Sequence, residues 1–291
     1  MSAMRIACVL SGGGVKSAAH VGALRALEER GVRPDRYVGT SMGAVVAAGF
    51  AAGRTYDDML RQLLLVTRRD VARVSWGVLS GPFTTSLFQV DRLRETIARL
   101  VPARRFADLH TPLTVTSVDV ETGDLVLFGD GGDASVPLID ALTASCALPI
   151  FYPPVRIGAR SCADGGLRAV LPLTTAAGFG PDAIFAVRAG PSFAARPSER
   201  PAAIPPLLRA HNRAMRVMMA AQTDAEIARW RHAQVPLILV EPTVEQAATF
   251  AVGRAVAYVE EGYRAAVSAL RDSPEGARLF PDAAQAPVAR A

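Results

Sequence analysis

Lysine is almost missing from this sequence: Lys16 is the only one, and arginine carries nearly all of the positive charge. A formal net charge of +5 and a pI near 9.5 would ordinarily point to nucleic acid or an anionic surface. No arginine block interleaved with aromatics accompanies that charge, and alanine is abundant throughout, so the excess reads as biased residue usage and no nucleic-acid partner is expected. Cysteine is scarce too. Cys8, Cys146 and Cys162 are odd in number, sit in apolar surroundings, and have neither CxxC spacing nor a histidine at zinc-ligand distance. A disulfide framework is therefore excluded, buried reduced thiols are expected, and no metal or other cofactor is called for. Long hydrophobic runs are lacking. The N-terminal apolar run is about five residues, short of the ~7 to 15 of a signal peptide, and the longest stretch, near Ala44 to Ala52, is about half a membrane span. A cytoplasmic location is expected, with peripheral membrane contact left open.

What is present is a chain of 291 residues, 50% hydrophobic, enough to bury a substantial core. "MRIACVL" at 4–10 reads as a buried strand, and the segment after the glycines reads as a helix closed by Gly31. "DRYVGT" and "MGAVVAAGFAAG" repeat the pair, and strand, helix, strand, helix within about fifty residues is an α/β signature. Helices are expected over Tyr56–Asp70 and Val90–Val101. "PLTVTSVDVETGDLVLFGD" predicts a hairpin turning at "ETGD". A short helix ending before Pro149, a buried strand at 182–190, a long helix from Leu207 to His232, a strand "VPLILVEP" and a last helix near 250–271 follow. A domain over 1–272 and a disordered tail over 273–291 complete the reading.

Three glycine-bearing sites carry chemistry. In "LSGGGVKSAAH", glycines 12 to 14 join strand to helix and let several backbone amides point into one cavity, where they can hold a phosphate or an oxyanion. A dinucleotide fingerprint is the rival reading, but its third glycine falls on Ser17 and the acidic candidate, Asp35, precedes its strand rather than ending it. Lys16 lies at the wrong spacing for a phosphate-binding Walker loop. The second site, "GTSMG", matches the nucleophile elbow, with Gly39 and Gly43 letting the backbone pass and Ser41 exposed at a helix start. A serine needs a base, and His20, His110, His211 and His232 are the only histidines. His211 and His232 follow the serine and an acid as a histidine esterase requires, but they sit on a charged helical segment, and Ser41 comes too early for the α/β-hydrolase sheet. The third site is "CADGG". Gly165 and Gly166 would let Asp164 approach Ser41, and a partly desolvated carboxylate within reach of the hydroxyl can serve as its base, a Ser–Asp dyad.

These blocks, "GGGVK", "GTSMG", "ASCALPIFYPP" and "ADGG", occur in the order and rough spacing of the patatin-like lipid acyl hydrolases, so the stretch 4–190 resembles that family and the related cytosolic phospholipase A2 catalytic domain. The resemblance implies a three-layer α/β/α sandwich around a mostly parallel sheet and hydrolysis of fatty-acyl esters of a lipid. It also implies Ser41 as nucleophile, Asp164 as base, and the amides of Gly12, Gly13, Gly14 and Val15 as oxyanion donors. Ser17 stands where the family pattern has glycine. "ALPIFYPP" would wall an acyl channel. Trp76, Leu79, Phe83, Leu87 and Phe88 would form either a lid or buried core, and Met215, Met218 and Met219 either core filler or lipid-facing surface. A non-catalytic lipid-binding module and a nucleotide-binding α/β protein remain the alternatives.

Overall fold

The computed structural model describes residues 4–71, 86–192, 206–230, 233, 235–244, 252–274 and 276. In chain order the elements are β1 Ile6–Leu10, α1 Ala18–Glu28, β2 Arg36–Thr40, α2 Met42–Ala51, α3 Tyr56–Leu65, α4 Arg68–Val71 and α5 Val90–Leu100. Then come β3 Leu113–Asp119, β4 Leu125–Gly129, α6 Leu138–Ser145, β5 Val155–Ile157, β6 Arg160–Asp164, α7 Leu173–Ala177 and β7 Ala183–Val187. The last are α8 Pro206–Trp230, β8 Leu237–Val240 and α9 Ala255–Asp272.

The strands form one sheet in the order β5-β6-β3-β2-β1-β7-β8, with β4 also paired to β3. From β3 through β2, β1 and β7 to β8 every pairing is parallel, while β4, β5 and β6 join antiparallel. Alternation along β1 feeds two cores. Ile6, Cys8 and Leu10 face the layer that includes α1, α2, α5, α6 and α9, whereas Ala7 and Val9 face Leu173 and Ala176 of α7 and Ile227 and Trp230 of α8. Helices therefore cover both faces, giving the expected α/β/α sandwich. The hairpin of β3 and β4 turns through Val120–Asp124, with Gly123 at a φ of 76°.

The central strand β3 carries an unusual junction. Thr114 to Thr116 pair with β2 and β4 at once, and Ser117 and Val118 pair with β6 and β4 at once. A strand has two edges, so β2 and β6 lie end to end along the same edge of β3, arriving from opposite directions.

The expected helix over Tyr56–Asp70 is two helices. Val66 is extended after α3, and the Thr67 N–H and hydroxyl both donate to Asp70 Oδ2, at 2.7 and 2.6 Å, starting α4 afresh. Cap chemistry overrides the apolar periodicity there. Leu87 and Phe88 are half-buried against the core, with Phe88 stacked on Phe151 at 5.7 Å, while Trp76, Leu79, Phe83, His232 and nearly all of the expected tail lie outside the described residues.

Phe128 of β4, fully buried opposite Val115, locks the hairpin to the core. Phe128→Ala is expected to cost about 3–5 kcal/mol through lost contacts and the cavity left behind, read as a lower urea midpoint at unchanged slope.

Candidate active site

Thr40 ends β2 opposite Thr116, and Asp164 ends β6 opposite Ser117, so the two strand ends stop one residue apart on β3. Beyond Thr40 the chain must turn at once into α2. Ser41 makes that turn at φ 54°, a conformation costly for a residue with a side chain. The flanking glycines are required by proximity. A Cβ on Gly39 would sit 2.5 Å from Ala44 Cα, and one on Gly43 would sit 2.3 Å from the Ser11 carbonyl oxygen. The strained turn is held by its neighbours: the Ser41 N–H donates to Ser145 Oγ at 2.8 Å, and the Thr40 hydroxyl donates to the Ala169 carbonyl at 2.7 Å.

The Ser41 hydroxyl donates to Asp164 Oδ2 at 2.7 Å. The other carboxylate oxygen accepts from the Gly166 N–H at 2.8 Å, which fixes the rotamer of Asp164. Gly165 packs on Thr116, where a Cβ would lie 2.3 Å from Oγ1. Asp164 is only 4% exposed. Burial pushes its pKa up to about 6, against the opposing pull of the Gly166 amide and the Ser41 hydroxyl. Two residues 123 apart in sequence thus form one buried hydrogen-bonded pair.

The glycine loop lies beside this pair: a Cβ on Gly12 would come within 3.3 Å of Ser41 Cβ. Of the four expected oxyanion donors, Gly12 is set apart, because its N–H donates to the Val170 carbonyl at 3.0 Å. The amides of Gly13, Gly14 and Val15 have no carbonyl partner among the described residues, as befits the opening of the 3-10 turn Gly14–Ser17 that leads into α1. Gly13 has room for no side chain, a Cβ there falling 2.8 Å from the Ala189 carbonyl oxygen. Lys16 comes next, 3% exposed, its pKa lowered to about 8 by burial and by the charge of Arg216.

No histidine among the described residues hydrogen-bonds Ser41 or Asp164. His20 is fully buried, its Nε2 bound to the Ser11 carbonyl at 2.8 Å, and burial lowers its pKa to about 4, so it is neutral. His110 packs on Gly53, and His211 lies half-buried on α8. Asp35 accepts from the Ile6 N–H at 2.7 Å, at the start of β1 and therefore at the end of the sheet away from the glycine loop. That is the wrong end for a ribose contact in a dinucleotide site. Among the described residues no three His, Cys, Asp or Glu side chains come together as metal ligands.

Ser41, Asp164, Gly14 and Val15 open on a cavity of about 100 Å³. Its walls are apolar: Met42 and Val46 of α2, Leu63 and Val66 at the end of α3, Leu93, Ile97 and Leu100 of α5, and Leu148 and Tyr152 from the proline-rich segment. Cys146 also lines it, its thiol pushed well above the usual range by burial and by the Asp164 charge. Ser145 lies within the "ASCALPIFYPP" block, but its bond to the Ser41 amide, like the place of the α5 residues in the cavity wall, is set by the three-dimensional register.

The patatin-like phospholipase family model matches residues 8–177. An NTE family protein of Mycobacterium tuberculosis is 32% identical over 202 residues, covering 68% of this chain and 54% of its own length. Patatin-like phospholipase domain-containing protein 7 of Rattus norvegicus is 30% identical over 188 residues, 64% of this chain and 14% of its own. The chain thus spans about half the length of the mycobacterial relative, and far less of the rat one. Among solved structures, VipD of Legionella pneumophila aligns with a TM-score of 0.47 at 15% identity, over 92% of this chain and 67% of its own.

A buried carboxyl with a raised pKa weakens the fold once it ionises. The unfolded chain releases that proton near the ordinary carboxylate value and the folded chain only near 6, so stability falls as pH rises between about 4 and 6. Asp164→Asn should therefore be more stable than the parent at pH 7.5, on the order of 2–3 kcal/mol, and lose that advantage at pH 4, as measured by urea unfolding at both values.

Proposed function

We propose that this chain, which belongs to the patatin-like phospholipase family, is a serine lipid acyl hydrolase that cleaves fatty-acyl esters through a Ser41–Asp164 dyad and an acyl-enzyme. The observation that carries the proposal is the 2.7 Å hydrogen bond from the Ser41 hydroxyl to a carboxylate whose pKa is raised to about 6. A carboxylate in water is a poor base for a hydroxyl; burial narrows that gap and brings the acid near the operating pH.

Asp164 takes the hydroxyl proton while Ser41 Oγ attacks the ester carbonyl carbon. The negative charge that develops on the carbonyl oxygen is met by the amides of Gly13, Gly14 and Val15, already oriented before reaction. The tetrahedral intermediate collapses by breaking the bond to the alcohol, which leaves with the proton held on Asp164. Water then attacks the acyl-enzyme with Asp164 again as base, and Ser41 recovers its proton as the fatty acid departs. The apolar cavity beside Ser41 suits the hydrocarbon chain of the acyl group, and none of these steps draws on a cofactor.

Hydrolysis of nitrophenyl esters across chain lengths tests the reading. Ser41→Ala should reduce turnover to background, and Asp164→Asn should lower kcat by about 10²- to 10⁴-fold. His211→Ala should leave turnover unchanged. For the parent, kcat/KM should rise through a single ionisation near pH 6 and level off above it, because the base must be ionised in the free enzyme. Loss of activity on removing an imidazole would favour a histidine esterase, and no turnover in the parent chain would favour a non-catalytic lipid binder.

A further inference from the structure

Helix α8 is held down by its second half. Arg188, 7% exposed at the end of β7, pairs with Asp224 at 2.6 Å and with Glu241 at 3.2 Å. Glu226 accepts from the Thr174 N–H at 2.9 Å, and Gln222 reaches the Leu167 carbonyl at 3.4 Å. The inner face of the first half reaches the site: Arg216 lies close enough to Lys16 to lower its pKa, and Met219 Cε comes within 3.2 Å of where a Cβ on Gly166 would be.

The outer face is unusual for a helix bathed in water. Leu207, Ala210, Ala214, Val217, Met218 and Ala221 follow helical spacing, lie within one stripe, and are all exposed. Leu207 is 84% exposed, Met218 66% and Val217 44%, too much apolar surface to leave in water without a partner. Charge says which partner. From Pro206 to Thr223 the helix carries Arg209, Arg213 and Arg216 and no carboxylate. Arg213 is exposed at the edge of the stripe, Arg209 is exposed on the helix face it shares with Arg216, and neither makes an ion pair with any described residue. Among the described residues no helix is long and apolar enough to cross a membrane.

We propose that the first half of α8 is a monotopic docking surface for an anionic lipid bilayer, with the apolar stripe entering the headgroup boundary and Arg209 and Arg213 meeting lipid phosphates. An amphipathic helix with basic flanks lies in that plane, and each arginine near an anionic surface adds to the affinity. Docked so, the helix holds the chain against the bilayer surface. The surface is independent of the hydrolytic reading, since binding needs no chemistry.

Sedimentation with vesicles tests it, using the Ser41→Ala chain so that nothing is hydrolysed. The chain should co-sediment with vesicles of equal parts phosphatidylcholine and phosphatidylglycerol, far less with pure phosphatidylcholine, and less as salt rises. The double variant Val217→Asp, Met218→Asp should lower the partition constant by roughly tenfold or more. The double variant Arg209→Glu, Arg213→Glu should abolish the preference for phosphatidylglycerol. Met4→Asp, an exposed apolar residue at the other end of β1, should bind like the parent, and thermal unfolding of all variants checks that they fold. Failure of the Ser41→Ala chain to bind either vesicle overturns the proposal, as does binding unchanged in the Val217, Met218 variant. A parent dimer that this variant turns into a monomer also overturns it, by assigning the face to a second copy. A chain that docks without turnover would sink the hydrolase and spare the surface; turnover of soluble esters without docking would do the reverse.

Discussion

Along one edge of β3, two strands arrive from opposite directions and stop one residue apart, and the Ser41 hydroxyl and Asp164 carboxyl are placed by that stop. β2 runs parallel to β3 and releases Ser41; β6 runs antiparallel and ends on Asp164. Neither side chain is positioned by a flexible loop. Each belongs to the last residue or first turn of a strand whose register is fixed by backbone hydrogen bonds, so their 2.7 Å contact is inherited from the sheet. The glycine loop enters the same place from β1, the strand beside β2, so that loop amides, hydroxyl and carboxyl face one cavity.

That arrangement carries cost. Ser41 sits at a positive φ, and among the described residues no cation lies within hydrogen-bond reach of buried Asp164, whose charge is met there by one hydroxyl and one amide. The surrounding polar contacts are the compensation. Ser145 holds the Ser41 amide, Thr40 and Thr116 share a 2.7 Å hydrogen bond, and Ser11 Oγ accepts from the amides of Ala189 and Gly190 under the glycine loop. Strain and desolvation are stored where the proposed chemistry would use them, as a hydroxyl held in place and a base near neutrality.

The glycine blocks are legible in the sequence because close backbone approach leaves no other residue possible. Gly39, Gly43, Gly13 and Gly165 each face a backbone or side-chain atom within 3 Å of a Cβ, and that constraint appears directly as a motif. The buried parallel strands are legible as compact apolar runs, and the β3–β4 hairpin through the turn residues between its two strands. Contacts made by ordinary residues are not. The "ASCALPIFYPP" block contains Ser145 without announcing its bond to the Ser41 amide, and α5 contributes Leu93, Ile97 and Leu100 to the cavity through tertiary packing that no local pattern announces. The commitment of the Gly12 amide to Val170 depends on a segment about 160 residues away. The break at Val66 is hidden because a threonine cap competes with an unbroken apolar period.

The most direct test follows the rate at which a long-chain fluorophosphonate modifies the protein, by intact mass and then by the modified peptide, across pH. The account predicts a single adduct on Ser41, formed at a rate that rises through an ionisation near pH 6, and a far slower reaction without that ionisation in Asp164→Asn. An adduct on another residue, or equal rates in the parent and the asparagine variant, would contradict it.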